Sequence, residues 1–216
     1  MLQRFYAYIS IFFSMLFWGM SFIWTKELLN EGFSPIIIIT LRLLISAILL
    51  FAIFKTAGKL DKIDKKDYKL FLMLAFFEPF LYFFGENWGL EFVDASLGSI
   101  IISTIPVFVP FGLYLFNKEA LHWQIIIGVL LTIFGLGFMT ISPEMTLNAS
   151  GKGIGLMFLA VFSAVSYSVV LSKVIKKYEA ITITTTQNII GAVYYLPLFF
   201  VFEFKHFQLL TFNFKT

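Results

Sequence analysis

Apolar residues in this chain come in long unbroken runs separated by short polar connections. Seven such runs stand out, at roughly 5–25, 34–54, 69–89, 95–116, 121–141, 153–172 and 181–202. Each matches the approximately 20 residues that a helix needs to cross a bilayer. A membrane β-barrel would show short segments of strict alternation, and IIIITLRLLISAILLF (36–51) does not alternate. In lipid every backbone polar group must be satisfied within its own segment, so the runs predict helices. The expected fold is an all-α polytopic membrane bundle of about seven transmembrane helices.

Composition agrees and narrows the class. The chain of 216 residues is 59% hydrophobic, carries 29 Phe and has only 13% charged residues, about half the usual share for a soluble domain. A water-soluble globule is excluded. With no Cys there is no disulfide framework and no thiolate or Cys-based metal site, and no cofactor or metal is expected. The net charge of +3 needs no nucleic acid to explain it. The first apolar run is too long for a signal-peptide core and lacks a cleavage pattern, so it reads as a retained span.

Charge placement gives a direction. With a cytoplasmic N-terminus, the inner side holds Arg4, Lys55, Lys59, Lys62, Lys65, Lys66, Lys69, Lys118, Lys173, Lys176 and Lys177, and the outer side only Lys26, Lys152, Lys205 and Lys215. This excess of eleven over four follows the positive-inside rule and predicts an integral, multi-pass protein of the plasma (inner) membrane. The Lys-rich stretch 55–69 reads as a solvated cytoplasmic loop.

The chain also echoes itself. Residues 13–54 and 158–200 share an aromatic, small and Ser-rich helix, a Lys near its end, a short loop and a second helix, with Lys26 and Lys173 offset by 147 positions. Five spans separate the two starts, so the second copy enters the membrane the other way up. Such an inverted repeat marks many secondary transporters.

FWGMSFIWTK, then SPIIIITLRLL, then a fourth helix with Pro106 and Pro110 followed by Lys118-Glu119, Gln124 and Gly128, together resemble an EamA-type repeat of the drug/metabolite transporter superfamily. The resemblance is good over 5–141 and looser over 153–202. It implies ten helices in two five-helix repeats around a central cavity, and export or exchange of small metabolites. On that pattern 1–141 is the first repeat, 142–152 an outer loop, 153–204 the first two helices of the inverted second repeat, and 205–216 an outer tail. The last three helices would then be missing, either by truncation or because a partner completes the bundle.

Polar residues inside the spans are the candidate site. Ser14, Trp18, Ser21 and Thr25 share a face of the first helix. Ser96, Ser99, Ser103 and Pro106 do so on the fourth, Ser163, Ser166 and Tyr167 lie on the sixth, and Gln187, Asn188, Gly191, Tyr194 and Tyr195 lie on the seventh. Small and hydroxyl residues commonly serve tight helix packing, which also accounts for Gly128 and Gly135. Large polar tips such as Trp18, Gln187, Asn188 and Tyr194 need a partner or a wet cavity. Pro79, Pro106 and Pro110 each remove a backbone donor and are kink candidates.

Two charges lie deep. Arg42 is about 12 Å in from the outer start of its span and Glu78 about 13 Å in from the inner start, at 1.5 Å per residue. Each costs on the order of 3 kcal/mol at mid-bilayer unless paired or wet. Glu78 shares a predicted face with Tyr82, Gly85 and Gly89. Three readings stay open for it: ion-pair partner of Arg42, protonated acid bonded to a neighbouring helix, or contact for substrate or a coupling proton. Glu86 and Asn87 read as a helix end at the headgroups.

The leading expectation is a secondary-active exporter of small metabolites or drugs, working by alternating access. Trp18, Arg42, Glu78, Tyr82, Ser103, Gln187, Asn188 and Tyr194 are its substrate or coupling candidates. Aromatic and hydroxyl walls suit amino acids, nucleobases and organic cations alike. An intramembrane enzyme would need a nucleophile–base pair or metal ligands. The two His, His122 and His206, lie at span edges, and neither H-E-x-x-H nor G-x-S-x-G occurs. A seven-helix receptor would have its N-terminus outside. A four-helix multidrug exporter would need a mid-span Glu in its first helix. A non-transporting fragment or assembly partner is the alternative.

Overall fold

In a computed structural model of the chain, residues 2–121, 123–140, 150–205 and 207 are described. The expected outer loop at 142–152 lies outside them up to residue 149, as do most of the tail after 205, His122 and His206. Among the described residues every regular element is helical, as the unbroken apolar runs require.

Helix α1 spans Leu2–Asn30 and α2 spans Pro35–Thr56. The second starts where Pro35 follows Ser34, whose hydroxyl accepts from the Ile37 N–H. This is a capped N-terminus with Pro in the first turn, where its missing N–H costs nothing. Span three is built from α3 (Tyr68–Ala75), a π-turn (Phe76–Leu81) and α4 (Tyr82–Phe92). Span four is α5 (Ala95–Ile102) and α6 (Ile105–Asn117), parted at Ser103–Thr104 with Pro106 in the first turn of α6 and Pro110 inside it. Then come α7 (Trp123–Thr140), α8 (Gly151–Val174) and α9 (Ala180–Leu198), the last extended by a π-turn over Phe199–Glu203. Six of these units are long and apolar enough to cross a membrane. The remaining predicted run, 121–141, forms the 18-residue α7. The chain is thus an integral, multi-pass helical membrane protein.

Spans three and six form the centre. Gly85 and Gly89 of α4 bring it against α8, where a Cβ on Gly85 would lie 2.6 Å from the Leu156 carbonyl oxygen and one on Gly89 3.0 Å from Met157. Tyr82, Leu90, Met157, Ala160, Val161 and Ala164 are buried in this contact. α2 packs on α9 through Ile39, Leu43, Ala192 and Tyr195. The predicted stripe of Tyr82, Gly85 and Gly89 therefore meets protein. The packing role expected for Gly128 and Gly135 is not found among the described residues, since a Cβ on either meets no atom within 4 Å.

The connections sort by end. Contacts between Asp64 and Lys177 and between Asn117 and Ser172 bring the Lys-bearing connections after α2, α6 and α8 to one end of the bundle. At the other end, Lys26 donates to the carbonyls of Leu90 (2.6 Å) and Val93 (3.0 Å), capping the last turn of α4.

The loop before α3 is largely exposed, as its composition predicts, but it is also tied down. Lys177 bridges Asp64 and Asp67, and Tyr178 donates to Asp67 at 2.6 Å. Asp61 accepts from the Glu179 N–H at 2.8 Å, serving the N-terminus of α9 from another loop. The aspartates lie within a Lys-rich run that suggested solvation, yet their partners are 110 or more positions away in sequence. Lys177 holds the Asp64 carboxyl below its ordinary value of 3.8, and Asp64 and Asp67 hold the Lys177 ammonium above 10.5. Asp64 therefore contributes above pH 3.8 and loses its contribution as pH falls through a still lower value. Lys177 contributes below pH 10.5 and loses its contribution only above that. The clamp should hold unchanged from about pH 5 to about pH 9. Hydrogen exchange of 61–67 and 177–182, corrected for intrinsic rates, should be flat over that range and rise in Lys177→Met. A step near neutral pH would contradict this arrangement.

Candidate functional site

The site forms where span three breaks. Glu78 has φ −142° and ψ 119°, outside the helical region. The Glu78–Pro79 peptide is cis, and Pro79 has no N–H to give. Carbonyls at such a break need donors inside a membrane; the Tyr82 N–H serves those of Phe77 and Pro79, and two neighbouring helices add further donors. Ser163 of α8 donates to the Phe77 carbonyl at 2.6 Å, and Tyr195 of α9 donates to the Phe80 carbonyl at 2.7 Å. Gly191 of α9 lies so close to Pro79 that a Cβ there would overlap its ring. Removing the Tyr195 hydroxyl takes the cross-helix donor from the Phe80 carbonyl, so Tyr195→Phe should lower stability by about 1–3 kcal/mol. Ser163→Ala leaves the Phe77 carbonyl the Tyr82 N–H and should cost less, though still measurably. Thermal unfolding in detergent measures this, and wild-type midpoints in both variants would refute it.

Arg42 does not pair with Glu78, contrary to the depth estimate. Its Nη1 lies 4.0 Å from Oε1 of Glu86, and its guanidinium lies over the Phe83 ring, 4.4 Å from the centroid. Depth explains the exchange. α4 continues to Phe92, so Glu86 lies about 9 Å inside the end of its helix and Arg42 about 10 Å inside the start of α2, at 1.5 Å per residue. Glu86 and Asn87 are 2% and 0% exposed; neither is a headgroup residue. Glu78 is half-buried and has no ion pair within 4.0 Å among the described residues.

The surrounding polar groups are only partly satisfied. Thr40 Oγ1, Tyr82 Oη, Glu86 Oε2 and Asn87 Oδ1 are buried without a hydrogen-bond partner among the described residues. Such groups are rare, because each costs about 1–3 kcal/mol. Arg42 also forms the inner limit of an open cleft of about 400 Å³ between α1 and α2, where Trp24, Thr25 and Leu28 face Ile38 and Leu41.

The remaining expected residues are dispersed. Gln187 accepts from the Tyr167 hydroxyl at 3.1 Å. Asn188 bonds back to the Thr184 carbonyl, and Ser103, exposed, to that of Ile100. Tyr194 donates to the Leu72 carbonyl at 3.2 Å and packs edge-on against Phe80. Trp18 packs on Phe22 beside the central cluster. Ser21, Ser99 and Ser166 also bond within their own helices. Of the hydroxyl stripes, Ser163 crosses to another span. Glu86 and Thr40 were missed as site residues; the depth of position 86 relative to Phe92 was the available signal for the first.

The fold and site define a polytopic membrane protein in which a buried Glu86 faces a half-exposed Arg42, with unfilled polar groups beside a cleft between helices. The EamA-like transporter family model matches residues 5–141, more than half of the chain, and the chain belongs to that family. It is 29% identical over 181 residues to an uncharacterized transporter of Archaeoglobus fulgidus, covering 84% of this chain and 63% of that protein. It is 33% identical over 179 residues to the uncharacterized transporter YdfC of Bacillus subtilis, covering 77% and 55%. For YoaV of the same organism the identity is 27% over 191 residues, covering 87% and 64%. The chain thus spans between about half and two thirds of the length of these curated relatives. No solved structure gives a significant match.

Proposed function

We propose that the protein acts as a secondary-active transporter exporting small metabolites by alternating access, from an inner membrane in which its N-terminus is cytoplasmic. The observation that carries this is the pairing of half-exposed Arg42 with buried Glu86, with its unfilled neighbours, at one end of a cleft. A purely structural pair has no need of spare bonding capacity; a site that receives a ligand does. The broken third span supports the reading, because discontinuous helices near the midplane are where such transporters bind. So do the sequence echo between 13–54 and 158–200 and the collection of Lys-bearing connections at one end. Trp24, Thr25 and Leu28 stand as wall residues of that cleft, and Glu78 as the group for a coupling proton.

The test is flux of a solute panel in proteoliposomes, with and without a pH gradient. Glu78→Gln should remove the response to the gradient and cut flux by about tenfold or more, which corresponds to 1.4 kcal/mol. Unchanged gradient response at normal protein level would remove Glu78 from the mechanism.

A further inference from the structure

The cleft between α1 and α2 combines two features that restrict what it can hold. Its walls are apolar, with Trp24 and Leu28 of α1 opposite Ile38 and Leu41 of α2. Its lining residues include a single charged one, Arg42, whose side chain is 38% exposed.

A guanidinium carries five N–H donors in a planar fork and no acceptor. Among the described residues Arg42 donates to no hydrogen-bond acceptor, its contacts being the Phe83 ring face and Glu86 at 4.0 Å. The ring satisfies the face of the group and leaves its N–H edges unfilled. In an apolar cleft those donors lack the acceptors that water would give them. The group that fits them is a planar oxyanion forming two parallel N–H···O bonds. Glu86 sets the charge. Its carboxylate lies behind the guanidinium, only 3% exposed, so a ligand carrying two negative charges would be repelled more than it gains. The remainder of the ligand must match Trp24, Leu28, Ile38 and Leu41, and a cleft of about 400 Å³ accommodates a body the size of a phenyl ring with a short chain.

We infer that this cleft binds a small monocarboxylate with an apolar body, its carboxylate forked on Arg42 and its body between α1 and α2. Binding stands on the cleft alone; only passage of the bound acid across the membrane rests on the transporter reading.

The experiment is equilibrium binding of radiolabelled 3-phenylpropionate to the chain purified in nanodiscs. Competitors are 3-phenylpropanol, phenethylamine, phenyl phosphate and phenylalanine. Saturable binding is expected, with 3-phenylpropanol, phenethylamine and phenyl phosphate ineffective at about tenfold excess over the labelled acid and phenylalanine, which also carries a carboxylate, no better than the acid itself. Arg42→Lys, which keeps the charge and loses the fork, should weaken binding about tenfold. Leu28→Trp, which narrows the cleft away from the charge, should weaken it as well, so the test survives if the Arg42 variant does not fold. Glu86→Gln should tighten binding by removing the opposing charge. Displacement by the alcohol or amine, tighter binding of the phosphate or amino acid, or indifference to Arg42→Lys and Leu28→Trp would each overturn the inference. Flux of 3-phenylpropionate is measured separately in liposomes. Binding without flux sustains the site and removes the transporter reading; flux of another solute without carboxylate binding does the reverse.

Discussion

Gly85→Ala is expected to part spans three and six. The added Cβ would lie 2.6 Å from the Leu156 carbonyl oxygen and 2.8 Å from the Ala160 nitrogen. Both are backbone atoms of α8, so no rotamer change relieves the overlap and one helix must move. Overpacking in a close contact costs about 1–3 kcal/mol, occasionally more, and with backbone on the receiving side the upper end applies. Helix association in lipid has no hydrophobic term to offset the loss and depends on close approach. The movement also carries Ser163 away from the Phe77 carbonyl, losing the hydrogen bond that ties α8 to the π-turn. Two controls isolate the cause. Gly89→Ala meets only the flexible end of Met157 at 3.0 Å and should cost much less. Gly155→Ala, on α8 with no atom within 4 Å of its Cβ, should be neutral or stabilise slightly through helix propensity. Unfolding midpoints in detergent rank the three variants. Equal midpoints for Gly85→Ala and Gly155→Ala would rule out this packing.

Features dictated by length and hydropathy were legible in the sequence, and features dictated by register were not. Runs of spanning length became helices because lipid offers the backbone no alternative. Pro79 and Pro106 both fall at breaks, whereas Pro110, the third kink candidate, lies inside continuous α6. Gly85 and Gly89 were legible as one stripe because both lie beyond the π-turn, on regular helix. Glu78 lies within that turn, where a regular 100° per residue no longer gives the face of a side chain. The partner of Arg42 was misassigned for a simpler reason: three further residues of α4, ending at Phe92 instead of 89, put Glu86 at the depth of Arg42. The hydroxyl stripes misled because Ser can bond to its own helix, and spacing alone does not separate Ser103 from Ser163. The aspartates at 61, 64 and 67 were invisible as a clamp because their partners are set by tertiary fold alone.

Arg42→Met should be the most destabilising change at the site and Arg42→Met/Glu86→Met among the least. With Arg42 gone, Glu86 remains 3% exposed with its nearest cation removed. Breaking a buried pair from one side costs about 3–5 kcal/mol. Glu86→Met alone should cost less, because the Arg42 side chain is 38% exposed and keeps the Phe83 ring. Replacing both by apolar side chains removes both desolvation penalties and is often neutral or stabilising. The cycle should therefore show a coupling of about 2–3 kcal/mol between the two positions, read from unfolding midpoints. Additive effects would mean that the 4.0 Å separation carries no interaction. Flux then separates structure from function. If the pair only joins α2 to α4, the double variant, stable again, should transport as the wild type does. If Arg42 receives the ligand, the double variant should be folded and inactive. Stability restored without flux assigns the pair to the ligand, because evolution could have joined these helices with two methionines at lower cost.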